Sequence, residues 1–252
     1  MITKSPSRKS HRKQRKAIKG KRKRRGSVVN KLVERNLIHR VSYDTYREKV
    51  CEVYGGARGA MLTKFSRLSG HLPLGERLLR KRKFDLHGLK CVLDVGSGAG
   101  QILGHLVKYT DPSTCITGID ISDTMLRRAR RRIKSDRPAL ITADLAQLPF
   151  ANDTFDCVTC GYVLEHLPDP RVGLAEISRV MRPGAKMLLF ATEDNFGGAC
   201  TSRFWACRTY NRQELQKICA NVGLLLDEEL WFTRVHKVFR AGGICWSLVR
   251  AA

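Results

Sequence analysis

In "CVLDVGSGAG", Cys91 to Gly100, an apolar run ends in an aspartate and is followed by glycine at positions 96, 98 and 100. Glycine has no Cβ, so such a turn tolerates unusual φ angles and lets a ligand lie against the backbone. If the turn opens a helix, free N–H groups also point at whatever binds. Ser97 belongs to the same turn. Two ligand classes use turns of this kind. A dinucleotide site prefers G-x-G-x-x-G, but the third glycine position here is Gln101 and the pattern runs G-x-G-x-G. Asp120, about twenty residues on, suits both classes, because each ligand presents a ribose diol to a carboxylate. Asp94 favours one of them. A carboxylate beside the turn repels a pyrophosphate and attracts an ammonium or sulfonium group.

These residues need strands that end beside them. From about Lys90, short β-rich runs alternate with amphipathic helices, which predicts a parallel sheet covered by helices. Ligands of such sheets sit beyond the carboxyl ends of the strands. Cys91–Val95 reads as the first strand, followed by a helix with Ile102, Leu103, Leu106 and Val107 on its inner face. "CITGID" is the second strand, ending at Asp120, and the next helix turns Met125, Ala129 and Ile133 inward and "RRARRRIK" outward. "ALIT" and "FDCVTCG" supply strands three and four. Asp169 caps a helix with Pro170 in its first turn, running through Leu174 and Ile177 to Met181. "RPGAKMLLFA" reads as a turn and the fifth strand. "NRQE", Asn211 to Glu214, opens a helix with Leu215, Ile218 and Val222 that stops at Gly223. "LLLDEELWF" and "GICWSLVR" are two further β-like runs.

The 252 residues suffice for one substantial core and an appendage. Three zones are expected: a basic tail over 1–40, a helical segment over 41–88 and an α/β domain over 89–252. Residues 1–40 hold sixteen Lys/Arg against the single acid Glu34, a net +15 of the chain's +24. Its run "SRKSHRKQRKAIKGKRKRR" has almost no apolar side chains to bury, so the tail should be disordered and should attract polyanions, RNA or an anionic membrane surface alike. It lacks the apolar face of a mitochondrial presequence. No apolar run approaches the about 20 residues that span a membrane. The nine scattered cysteines fit a reduced, cytoplasmic setting, free or peripheral at a membrane or nucleic-acid surface. Cys157 and Cys160 form a CxxC, but within a strand they face opposite sides, so no redox or metal role is expected. Cys200 and Cys207 lack a second ligand pair, so no zinc is expected either.

The runs "LDVGSGAG", "GIDIS", "ADLAQLPFANDTFDCVTCGYVLEHLPDP" and "RPGAKMLL" resemble the successive motifs of class I S-adenosylmethionine-dependent methyltransferases. Within that class the chain is most similar to the type 11 branch, which includes the ubiquinone and menaquinone biosynthesis enzymes. The resemblance covers about residues 88–225 and implies a Rossmann-like α/β fold, with seven strands, the last antiparallel, and helices on both faces. It implies S-adenosyl-L-methionine as cofactor. Gly96, Gly98 and Gly100 would pass beneath its methionine part, with Asp94 orienting the amino group. Asp120 would accept from the ribose, and Ile121 would pack on the adenine. Asp144 would accept from the adenine amino group, with Leu145 donating its backbone N–H. Gly161 and Tyr162 would lie near the methionine ammonium and the transferable methyl.

Transfer from a sulfonium is an in-line displacement that needs mainly alignment. A base is required only where the acceptor must lose a proton. His166, in "EHLPD", is the candidate proton acceptor or orienting group, and Tyr162 the candidate wall of the acceptor pocket. The Asn/Asp-Pro-Pro-aromatic turn of nucleic-acid amino methylation is replaced by "GYVLEH", and no Pro-Cys nucleophile is present. The longer link "TEDNFGGACTSRFWACRTY", with Phe196, Phe204, Trp205 and Tyr210, suits an apolar or planar acceptor. Three readings follow: an enzyme methylating a small-molecule or lipid-like acceptor, an RNA- or ribosome-associated methyltransferase using the tail, and a non-catalytic cofactor-binding adaptor.

Overall fold

The computed structural model describes residues 78–79, 83–194, 208–232, 234–239 and 243–252. The basic tail, residues 41–77 of the expected helical segment with Leu74, and the link carrying Phe196, Cys200, Phe204, Trp205 and Cys207 lie outside the described residues. Seven strands form one sheet in the order β3-β2-β1-β4-β5-β7-β6. In chain order the elements are β1 (Cys91–Val95), α1 (Gln101–Tyr109), β2 (Cys115–Asp120), α2 (Asp123–Ile133), β3 (Pro138–Thr142) and β4 (Phe155–Gly161). A 3-10 turn (Leu164–His166) follows, then α3 (Pro170–Val180), β5 (Met181–Ala191), α4 (Arg212–Asn221), β6 (Leu224–Glu229), α5 (Arg234–Phe239) and β7 (Ile244–Arg250). β7 runs antiparallel to both β5 and β6. The remaining pairings are parallel.

Parallel strands covered on both faces read as nearly continuous apolar runs, and β1 and β4 are of this kind. One core gathers Leu93, Val95, Cys160, Leu174, Ile177 and Trp246. The other, on the opposite face, gathers Leu78, Phe84, Val92, Leu103, Cys157 and Phe190. Cys157 and Cys160 thus fall in different cores, as a period of two requires. The caps hold as expected. Asp169 accepts from the N–H of Arg171 at 2.9 Å, and Asn211 accepts from Gln213 and Glu214 at 3.0 and 3.3 Å.

One boundary differs. Met181, expected as the last inward residue of α3, is the first residue of β5 and pairs with Phe155. Pro183 limits the helix here, since it cannot continue one and it drives Arg182, the residue before it, out of the helical region. α3 has already ended at Val180, with Met181 as its extended C-cap. The pairing then jumps from Phe155↔Met181 to Cys157↔Lys186, so "RPGA" is an irregularity inside β5 rather than a turn before it.

Candidate active site

The strand order places the site. The chain steps from β1 outward through β2 to β3, then returns to β4 on the other side of β1. The two loops leaving the carboxyl ends of β1 and β4 therefore diverge and leave a crevice between them. The glycine turn fills one side of it and Gly161–Val163 the other.

The two sides touch. A Cβ on Gly96, whose φ is 66°, would lie 2.2 Å from Cγ2 of Val163, so the turn closes only without a side chain there. Gly100 is the N-cap of α1 at φ 78°, and a Cβ on it would meet Ala129 of α2 at 2.9 Å. Ser97 donates its N–H to the carbonyl of Ile119 at 2.8 Å and its hydroxyl to the carbonyl of Asp94 at 3.0 Å. Asp120 closes the turn from the β2 side. Its Oδ2 accepts from the N–H of Gly98 and its Oδ1 from the N–H of Ser122, both at 2.8 Å. A carboxylate offers about four lone-pair directions, so these bonds leave acceptor capacity for a ligand. The carbonyl of Asp120 accepts from Ala143 at 3.1 Å, which brings Asp144 and Leu145 to the same rim. Asp144 accepts from the N–H of Ala146 at 2.9 Å and shapes its own turn, while the Leu145 side chain is buried in the core. Ile121 is half-buried beside Asp120.

Asp94 lies at the bottom of the crevice, 1% exposed. Its Oδ1 accepts from the hydroxyl of Thr159 on β4 at 2.6 Å. Its Oδ2 is buried with no hydrogen-bond partner among the described residues. Burial raises this carboxyl to about 7, partly opposed by the Thr159 hydrogen bond. Tyr162 has φ 58°, a left-handed conformation that a bulky residue adopts only when its surroundings enforce it. The enforcing contacts are visible. Its N–H donates to the carbonyl of Phe190 at 3.0 Å, and its ring stacks on Phe190 at 6.0 Å, with Phe232 stacked behind at 6.1 Å. Burial pushes its phenol far above the ordinary value, so it stays neutral. Burial lowers His166 to about 4, so it too is uncharged at neutral pH.

Glu165, beside His166 in "EHLPD", has no role assigned by the sequence. It is 5% exposed, and its Oε1 accepts from the N–H of Thr192, at the end of β5, at 2.6 Å. Burial pushes its carboxyl up to about 7. Nearby, the hydroxyl of Tyr210 donates to the carbonyl of Leu164 at 2.6 Å. Contacts across 27 and 46 residues carry no local signal in the chain.

Residues 93–189 match the family described as "Methyltransferase domain". A demethylmenaquinone methyltransferase of Staphylococcus aureus is 33% identical over 134 residues, covering 51% of this chain and 56% of that protein. An uncharacterized 37.1 kDa protein in transposon TN4556 of Streptomyces fradiae is 40% identical over 99 residues, 38% of this chain and 28% of that protein. The chain thus spans only part, at most about half, of the curated relatives it matches. The part of this chain that matches a methyltransferase domain, residues 93–189, runs from β1 into β5 and so includes the glycine turn, Asp120 and Tyr162. The fold is that of magnesium protoporphyrin IX methyltransferase from Synechocystis PCC 6803, solved with bound S-adenosylhomocysteine. The TM-score is 0.63 at 16% identity, over 81% of this chain and all of that one. The glycine turn, Asp120 and Tyr162 all lie at the switch point of the seven-stranded sheet. No helix among the described residues is long and apolar enough to cross a membrane.

Proposed function

We propose that this protein is an S-adenosylmethionine-dependent methyltransferase acting on a small-molecule or lipid-like acceptor. One observation carries the reading. A buried carboxylate oxygen with no hydrogen-bond partner among the described residues, Asp94 Oδ2, lies two residues before a glycine turn whose Gly96 packs on Val163 only because it lacks a Cβ. That pairing suits a cationic ligand lying on backbone and disfavours a phosphate. Gly96, Ser97, Gly98 and Gly100 would cradle the methionine part of the cofactor, Asp94 would face its ammonium, and Asp120 would use its spare lone pairs on the ribose. Ile121, Asp144 and Leu145 would bound the adenine, and Gly161 with Tyr162 would close the side toward the acceptor. When bound, S-adenosylmethionine supplies a methyl group already activated by a sulfonium.

The protein's own contribution is alignment and exclusion of water. Tyr162, held in a strained backbone and backed by Phe190, presents a fixed surface to the acceptor. His166 is neutral and only weakly basic, which suits orienting an acceptor hydroxyl better than removing a proton at neutral pH. The demethylmenaquinone methyltransferase relative supports a lipid-like acceptor.

The test is incubation with methyl-labelled cofactor and a cell extract separated into lipid, small-molecule, RNA and protein fractions. Label in the lipid or small-molecule fraction is expected. Label confined to RNA would favour the RNA-associated reading, and cofactor binding with no label in any fraction would favour a non-catalytic adaptor.

A further inference from the structure

At the opposite end of the sheet from the crevice, two cysteines face each other. Cys91 is the first residue of β1 and Cys115 the first of β2, and the two are register partners on adjacent parallel strands. Register partners in a sheet point to the same face. Val92 and Cys157 pack on one core while Cys91 packs against the other, which places both thiols on the second face. They also differ from the other cysteines in access. Cys115 is exposed and Cys91 partly so, whereas Cys157, Cys160, Cys219 and Cys245, the remaining described cysteines, are all buried.

We propose that Cys91 and Cys115 form a reversible disulfide, a redox-sensitive modification site separate from methyl transfer. Neighbouring strands lie about 4.8 Å apart, inside the range of about 4.4–6.8 Å between Cα atoms that a disulfide spans. The Cβ atoms must draw in to about 3.8 Å. Both residues begin their strands, so a shift there disturbs only strand ends. A bond made under that constraint is readily reduced, which is the behaviour of a switch.

The chemistry needs an oxidant, here a peroxide. Cys115 reacts first, since it is exposed, while burial, Cys115 and Asp156 push the Cys91 thiol up and keep it protonated. The Cys115 sulfur attacks the peroxide, an S–O bond forms, the O–O bond breaks and water leaves. The Cys91 sulfur then displaces the hydroxyl from Cys115, its proton leaving with that oxygen as a second water. Two thiols and one peroxide become one disulfide and two waters.

Joining the two residues closes a loop of about 25 residues and restricts the unfolded chain. The test treats the full chain with hydrogen peroxide, then maps disulfides by peptide mass and follows thermal unfolding with and without dithiothreitol. A peptide pair linked through Cys91 and Cys115 and lighter by two hydrogens is expected. A midpoint rise of about 5 °C, reversed by the reductant, should accompany it. Cys115→Ser, an exposed and conservative change, should abolish both. The proposal is overturned if Cys115 stops at a sulfenic or sulfinic acid, or pairs with Cys51, Cys200 or Cys207. A linked peptide with an unchanged or lowered midpoint would overturn the stabilising role.

Discussion

Asp120 fastens the glycine turn to the end of β2 through Gly98 and Ser122, and in the proposed function it also receives the cofactor ribose. The two roles can be separated by substitution. Asp120→Ala should weaken cofactor binding by roughly tenfold or more, as expected for a lost polar contact worth about 1–3 kcal/mol. Asp120→Asn, which keeps an oxygen acceptor, should lose less, and calorimetry with S-adenosylhomocysteine would rank the two. Equal affinity for wild type and Asp120→Ala would remove Asp120 from the site. Glu165 offers a pH test. Its folded carboxyl is raised from 4.5 to about 7, so its contribution to stability is full below the lower value and is lost as pH rises through the higher. His166 runs oppositely, being lowered from 6.5 to about 4, so its contribution is lost as pH falls through that window. Glu165→Gln keeps the acceptor for Thr192 and removes the titration. Its melting temperature should therefore gain on wild type as pH rises from 4.5 to 7. A difference independent of pH would show that Glu165 is not held in a desolvating site.

Helix α3 lies close against the rim of the site. A Cβ on Gly173 would meet Cδ1 of Leu167 at 2.5 Å and Cγ of Leu145 at 2.9 Å. Alanine improves helix propensity over glycine by about 1 kcal/mol, whereas overpacking a filled core costs about 1–3 kcal/mol. Packing should win, so Gly173→Ala is expected to lower stability by about 1 kcal/mol in denaturant unfolding. A stabilised variant would show that the loop carrying Leu145 yields freely. The elements themselves were largely legible in the sequence. β1, β2 and β4 match the expected strands residue for residue, because each is a short apolar run ended by glycine or aspartate. Caps were legible for the same reason, since Asp169 and Asn211 bond within three residues of themselves. α5 was not foreseen, being six residues long and too short to show a period.

At the scale of the whole molecule, a ligand that binds only the folded state stabilises it by mass action, about 2.7 kcal/mol at a hundredfold excess over its Kd. S-adenosylhomocysteine at that excess should raise the unfolding midpoint by about 5–10 °C. A nicotinamide dinucleotide should leave it unmoved, and the reverse result would sink the reading of Asp94. By itself the sequence determined the order of the seven strands and of the helices but for α5, the glycine turn and the positions of Asp94 and Asp120, because each rests on patterns within about twenty-five residues. The cofactor was implied by the resemblance of four motifs spread over about residues 88–225. Only the tertiary structure decided that β1 and β4 are neighbours, that Val163 seals Gly96, that Tyr162 is held at positive φ and that Glu165 reaches Thr192. Those facts depend on strands from distant parts of the chain meeting in one sheet, and no local pattern of side chains encodes that meeting.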